Sequence, residues 1–316
     1  MTPFQVLLLA LPLGLLLDLL FGEPRRWHPL VGFGRAADEL ERLLRRGAPG
    51  HAIGNRLRGA LAWALLVLPL PLACAAVLGV LPRPAALAGH AALLWFALGG
   101  RSLAEHARAV ALPLAAGDLV GARAGIGRMV SRETATLDAD GIACATVETA
   151  LENGNDAVFG ALFWAALLGG PGALAFRLAN TLDAMWGYRD ARRIYFGWCA
   201  ARADDFLGFV PARLTALTYA LFGRGAQALH CWRTQAPTWA SPNAGPVMAA
   251  GAGALGVTLG GAAVYHGRSE PRPRLGCGPA PSAADIEHAL ALVARGAWLW
   301  GALALFAALL GLLLDA

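Results

Sequence analysis

Long apolar runs alternating with polar blocks organise this chain. Val6–Phe21, Gly59–Val80, Pro84–Gly100, Val158–Phe176, Ala244–Tyr265 and Gly296–Leu314 carry almost no charge. Most of them approach the ~20 residues that cross a ~30 Å hydrocarbon layer as helix. The pattern predicts an all-α, polytopic integral membrane protein with four to six transmembrane helices. No basic residue precedes the first run, Asp18 lies inside it, and "FGEPRRW" follows instead of a small-residue cleavage site, so it is expected to persist as a helix. Gly22–Arg58 holds eight Arg against four acidic residues, which places it in the cytoplasm by the positive-inside bias. The polar block Arg101–Asp156 then returns to the same side. Within it Ala, Leu and Val alternate with charge at helical spacing, interrupted by Pro113, Gly117 and Gly121–Gly127. Three short amphipathic helices are predicted there. The run Val158–Phe176 is divided by "GGPG" at Gly169–Gly172 into pieces too short to span alone. A re-entrant or deeply buried helical hairpin is therefore predicted, with irregular backbone covered by protein and the polar segments on either side sharing one cytoplasmic face; a simple pass is the alternative. Without an internal repeat or a linker, 1–316 reads as a single membrane-embedded unit.

Composition strengthens this picture: 57% of residues are hydrophobic, 15% are charged, and the mean hydropathy is +0.52, against roughly a quarter charged in globular chains. All 26 basic residues are Arg, and the absent lysine excludes a Walker A loop, a Schiff-base lysine and a pyridoxal phosphate anchor. Arginine still binds phosphate oxygens bidentately, and a net charge of +5 suits anionic substrates and anionic lipid alike. Five cysteines without a C-x-x-C pair argue against a disulfide framework or a zinc site and read as small core residues. Seven histidines form no ligand spacing, which disfavours a zinc enzyme.

Candidate chemistry lies in the polar blocks. Glu148, Glu152 and Asp156 fall at i, i+4 and i+8, so a helix stacks three carboxylates on one face beside Asn153 and Asn155. Such a face is either simply solvated or a hard-oxygen site for Mg²⁺. Asn180, Thr181, Asp183, Tyr188, Arg189, Arg192 and Arg193 follow, then Arg202, Asp204 and Asp205, then Arg213 inside the apolar "VPARLTA". An arginine at that depth faces a partner or a polar cavity, or snorkels to the interface. The arginine cluster fits a phosphate site or an anchor for anionic lipid. In "WASPNAGP", Ser241–Asn243 reads as a turn leading into a small-residue run.

The ordered set "LLLDLLFGEPRRWHPLVGFGR", "SRETATLDADGIACATVETALENGND", "NTLDAMWGYRD", "FGWCAARADDFLGFVPARLTAL", "SPNAGP" and "GAGALGVTLGG" resembles the adenosylcobinamide-phosphate synthase family of cobalamin biosynthesis, called CbiB or CobD. The resemblance covers nearly the whole chain. It implies an ATP- and Mg²⁺-dependent ligation of the corrinoid adenosylcobyric acid with aminopropanol or aminopropanol phosphate, at a membrane, with other cobalamin-assembly enzymes as further partners and no nucleic acid. Mg²⁺ and fixed positive charge stabilise phosphoryl transfer onto a carboxylate. Carried over residue by residue, the resemblance implies Glu148, Glu152 and Asp156 for Mg²⁺, and Asp183, Asp204 and Asp205 as alternates or as the catalytic base. It implies Arg132, Arg177, Arg189, Arg202 and Arg213 for phosphates and corrin carboxylates, with Asn153, Asn180, Thr181 and Asn243 positioning substrate. The chain departs from the family pattern at Asn155, Ala157 and Arg177. Readings from other classes are a small-solute transporter, supported by the interrupted run at Gly169–Gly172, and a scaffold for cobalamin enzymes.

Overall fold

The computed structural model describes residues 1–24, 28–45, 52–187, 193–265 and 267–315. They form two compact units built from interleaved segments. The first comprises 1–98, 160–208 and 300–316, and the second comprises 99–159 and 209–299.

In the first unit, α1 (Pro3–Phe21) opens with a capping box in which Thr2 Oγ1 accepts from Gln5 N–H and Gln5 Oε1 accepts from Thr2 N–H, satisfying two N-terminal donors that helix geometry leaves free. The amphipathic α2 (Pro29–Arg45) and the helices α3 (Ala52–Val67), α4 (Pro69–Val80) and α5 (Arg83–Ala97) follow. α1 and α5 pack on each other and on α9, and the Trp95 indole donates to Gly22 O at 2.9 Å. Leu174, Leu178, Leu182 and the fully buried Trp186 form the core with Ala37, Ala62, Val67 and Phe196. Trp186 and Phe196 meet edge to face at 5.0 Å, a geometry favoured by the ring quadrupoles.

Close approach here depends on absent side chains. A Cβ on Gly59 would lie 1.9 Å from Phe196 O, so α3 sits directly on the backbone of the turn that carries Phe196. Gly59→Ala is expected to destabilise the unit by about 1–3 kcal/mol through overpacking, read as a lower unfolding temperature in detergent. Gly79→Ala, with open space around it, is the control expected to leave stability unchanged.

α9 (Gly160–Trp186) is broken at Gly169, whose φ of 71° and ψ of −165° lie outside the helical region and are open mainly to glycine. Its halves fold back on each other. A Cβ on Gly160 would meet the Phe176 ring at 2.2 Å and one on Gly172 would meet Trp164 O at 2.5 Å, whereas a straight helix separates these pairs by about 24 and 12 Å. The predicted hairpin is present, broken where "GGPG" stands. Gly170 N–H donates to His90 Nδ1 at 3.0 Å, so a donor freed by the break is satisfied within the protein.

The second unit begins with α6 (Gly100–Ala115), α7 (Leu119–Ile126) and α8 (Ala139–Gly154), the three short helices expected in this block. Asp118 and Asp138 cap α7 and α8 by accepting from Gly121 N–H and Gly141 N–H at 2.9 and 2.8 Å. α8 widens into a π-helical turn at Asn155–Phe159. α10 (Trp198–Phe222) and α13 (Ala283–Leu314) each contribute to both units, and between them lie α11 (Gly225–Gln235) and α12 (Ala244–Leu255). The run Ala244–Tyr265 is not a membrane-spanning helix. Its helix stops after 12 residues at Gly256, which adopts φ 74° and ψ 38°, a left-handed cap. The chain then enters β1 (Thr258–Gly260), β2 (Ala263–Tyr265), β3 (Arg268–Glu270) and β4 (Arg274–Gly276). β1 pairs antiparallel with β4 and β2 with β3, in registers that place Leu259 opposite Leu275 and Val264 opposite Ser269.

Four stretches among the described residues are long and apolar enough to cross a membrane: Pro3–Phe21, Ala52–Val80, Ala139–Trp186 and Ala283–Leu314. Only 17% of the apolar window in Ala52–Val80 and 22% of that in α13 is buried, against 67% for Ala139–Trp186. The first two therefore present leucine faces to lipid, including Leu61, Leu65 and Leu72 and, on α13, Phe306 and Leu313, while the hairpin segment is mostly enclosed by protein. The protein is an all-α membrane protein with a small β insertion.

Candidate functional site

Helical periodicity on α8 gives the site its first component. Glu148 is only 6% exposed, and a carboxylate that deep requires charge and hydrogen-bond partners. Arg272, from the connection between β3 and β4, supplies a fork: Nη1 donates to Oε2 at 3.3 Å and Nη2 to Oε1 at 3.2 Å. Gly260 N–H at the end of β1 donates to Oε1 at 2.7 Å. The second guanidinium is Arg132, whose Nη2 stands 3.3 Å from Glu148 Oε2. Arg132 is 9% exposed, and its Nη2 nevertheless has no hydrogen-bond partner among the described residues: the pair is close in distance but misaligned for a hydrogen bond. One carboxylate thus faces two arginines, and one nitrogen of Arg132 has no acceptor among the described residues.

These groups line a cavity of about 670 Å³ whose walls also include Thr149, Glu152, Asn153, Trp239 and Met248. That volume suits a small molecule. Arg272 is held on two further sides, by its Nε donating to Gly261 O at 3.1 Å and by the Trp239 ring 5.5 Å from its guanidinium carbon, a cation–π contact. Glu152, one turn beyond Glu148, lines the same cavity, and its carboxyl group makes no hydrogen bond or ion pair among the described residues. The cavity lining therefore combines a guanidinium with one unsatisfied nitrogen, Arg132, and the carboxyl group of Glu152.

The structure distributes the residues predicted from sequence. Arg132, Glu148, Glu152 and Asn153 come together at the cavity. Asp156 instead accepts from Asn155 Nδ2 at 2.8 Å, and Asn155 Oδ1 accepts from Thr215 Oγ1 at 3.0 Å. Arg213 neither snorkels alone nor joins the cavity; its Nη1 donates to Asn243 Oδ1 at 2.9 Å, with its guanidinium on the Phe209 ring. In the first unit, Arg177 pairs with Glu23 at 2.8 Å, Asn180 Nδ2 donates to Asp204 Oδ1 at 3.2 Å, and Thr181 donates to Arg177 O. Arg202 pairs with Asp205 one turn away, and Asp183 O caps Gly187 N–H. Arg189, with Tyr188 and Arg192, lies outside the described residues.

A cation fits the three-carboxylate set poorly. Both oxygens of Glu148 are occupied by Arg272, with Arg132 adjacent, and no group of three or more His, Cys, Asp or Glu among the described residues is disposed to hold a metal. Sequence reasoning missed Arg272 and Trp239. Arg272 lay in "SEPRPRLG", just past an apolar run taken as helix, and the two prolines flanking it were the available sign of extended, non-helical chain.

A family model described as CobD/Cbib protein matches residues 11–293. A cobalamin biosynthesis protein CobD of Chromobacterium violaceum is 60% identical over 304 residues, covering 96% of this chain and 97% of the relative. One from Stutzerimonas stutzeri is 59% identical, covering 92% and 95%, and one from Mycobacterium tuberculosis is 40% identical, covering 92% of each. No solved structure matches. The chain belongs to the CobD/CbiB family of cobalamin biosynthesis proteins.

Proposed function

We propose that this chain is an adenosylcobinamide-phosphate synthase, joining the free propionate of adenosylcobyric acid to the amine of (R)-1-aminopropan-2-ol or its O-phosphate at the expense of ATP. The observation that carries the reading is the buried Arg132 guanidinium, whose Nη2 has no hydrogen-bond partner among the described residues, in a cavity of about 670 Å³ that is also lined by the Glu152 carboxyl. A small zwitterion matches these two groups, with phosphate on Arg132 and ammonium on the Glu152 carboxyl. A corrin ring with its side chains is larger than this cavity, so the small amine is the substrate assigned to it. Glu148, itself held by Arg272, faces Arg132, and Asn153 and Thr149 offer hydrogen bonds to the ligand. An ammonium must lose a proton before it attacks an activated carboxyl, and Glu152 is the acceptor placed to take it. Phosphoryl transfer from ATP supplies the leaving group that a carboxylate lacks. Mg²⁺ enters with the nucleotide as its counter-ion, and no step is assigned to a protein-bound ion. The Arg-rich block 22–58 supports a plasma-membrane protein with its active face in the cytoplasm, where the other cobalamin-assembly enzymes would meet it.

The test uses purified protein in detergent with adenosylcobyric acid, ATP, Mg²⁺ and either amine, with each component omitted in turn and the corrin followed by mass spectrometry. The expected product is heavier by one amide-linked aminopropanol phosphate, or aminopropanol, and is lost when ATP or Mg²⁺ is left out. Folded protein that gives no product with either amine overturns the reading and leaves transport or scaffolding. Glu152→Gln is expected to abolish amide formation while membrane expression stays normal, because it removes the proton acceptor and preserves size. Near-normal turnover in that variant would remove Glu152 from the site.

A further inference from the structure

Two thiols outside the cavity approach each other closely. Cys231 on α11 is fully buried, Cys277 directly after β4 is exposed, and their sulfurs are 3.4 Å apart. Cys277 is thus not the core residue its sequence context suggested. Two glutamines of α11 fix the spacing. Gln227 Nε2 donates to Cys277 O at 2.8 Å and contacts its sulfur, while the Gln235 carboxamide accepts from Gly276 N–H at 2.6 Å and donates to Gly276 O at 3.0 Å. The end of β4 is therefore held against α11 by hydrogen bonds on both sides of the sulfur pair.

We propose that Cys231 and Cys277 are a redox-modification site, a thiol pair that closes to a disulfide by exchange with a small-molecule disulfide. A disulfide bond is about 2.05 Å long, so the sulfurs have about 1.4 Å to close, a distance that side-chain rotation covers. Access sets the order of events. Burial, then the contact with Cys277, pushes the Cys231 thiol up to about 12, and only Cys277 meets solvent. The Cys277 thiolate attacks one sulfur of the small disulfide, breaking its S–S bond and releasing one thiol. The Cys231 sulfur then displaces the second thiol from Cys277 and gives its proton to that leaving group. The two protein thiols are oxidised by two electrons, and the small disulfide is reduced to two thiols. The new bond ties β4 covalently to α11. Because Arg272 lies two residues before β4, the bond also fixes the segment that holds Glu148. This site stands on its own geometry and does not depend on the proposed ligation.

The experiment uses the full-length protein in detergent, fully reduced, freed of reductant and exposed to glutathione disulfide. Remaining thiols are alkylated under denaturing conditions and mapped by peptide mass spectrometry. Cys231 and Cys277 should lose their label together. Their peptides should appear joined and two hydrogens lighter, a change that dithiothreitol reverses, while Cys74, Cys144 and Cys199 stay alkylated. Cys231→Ser should instead accumulate glutathione on Cys277. The proposal is overturned if glutathione persists on Cys277 in the unaltered protein, if both thiols remain alkylated, or if Cys277 links two chains on a non-reducing gel.

Discussion

Replacing Arg132 with methionine is expected to abolish ligation while leaving the protein at least as stable as before. Arg132 is a buried guanidinium whose Nη2 has no hydrogen-bond acceptor among the described residues, a condition that costs free energy in a folded chain. Its carboxylate neighbour does not need it, since Glu148 keeps the Arg272 fork and the Gly260 N–H. Methionine fills much of the same volume without the charge. Because Glu148 stays neutralised by Arg272, removing Arg132 strands no buried charge, and the unfolding temperature should hold or rise. Function should go the other way. Losing a desolvated charge contact to a phosphate typically costs several kcal/mol, which corresponds to a fall of roughly 10²–10³-fold in kcat/KM. A variant that loses stability and activity together would mark Arg132 as a structural residue.

The opposite pattern is expected for Glu148→Gln. The glutamine leaves Arg132 and Arg272 facing one another without an anion between them, and breaking a buried pair from one side costs about 3–5 kcal/mol. Thermal unfolding in detergent should show a large loss, and combining the change with Arg132→Met should recover part of it, because the second substitution removes one of the two stranded charges. A double variant whose stability change equals the sum of the two single changes would mean that Glu148 and Arg132 do not interact, contrary to their 3.3 Å separation.

Much of the fold was legible because membrane helices impose a strong pattern. The apolar runs located α1, α4 and α13, and the break at Gly169 followed from a Gly-Gly-Pro-Gly stretch that no straight helix tolerates well. Ala244–Tyr265 misled because hydropathy reports burial and not geometry. The same small apolar residues build a 12-residue helix and then strands, and only the glycine at 256 marked the change. At the site, the α8 spacing correctly placed Glu148 and Glu152 on one cavity wall. It could not reveal that Glu148 is neutralised by a residue 124 positions away, because an ion pair closed by tertiary packing leaves no local periodicity. The i, i+4, i+8 spacing likewise could not show that Asp156, where the helix widens, accepts from Asn155 and is absent from the cavity lining.

Direct binding tests the central claim, that the cavity between Arg132 and Glu152 receives the phosphorylated amine. Aminopropanol phosphate would be titrated calorimetrically into the purified protein and into the Arg132→Met variant, with unphosphorylated aminopropanol as the comparison. The account predicts that the phosphorylated amine binds the unaltered protein more tightly than the free amine does, and that this preference disappears in the variant. Equal affinities for the phosphorylated amine in both proteins would contradict it.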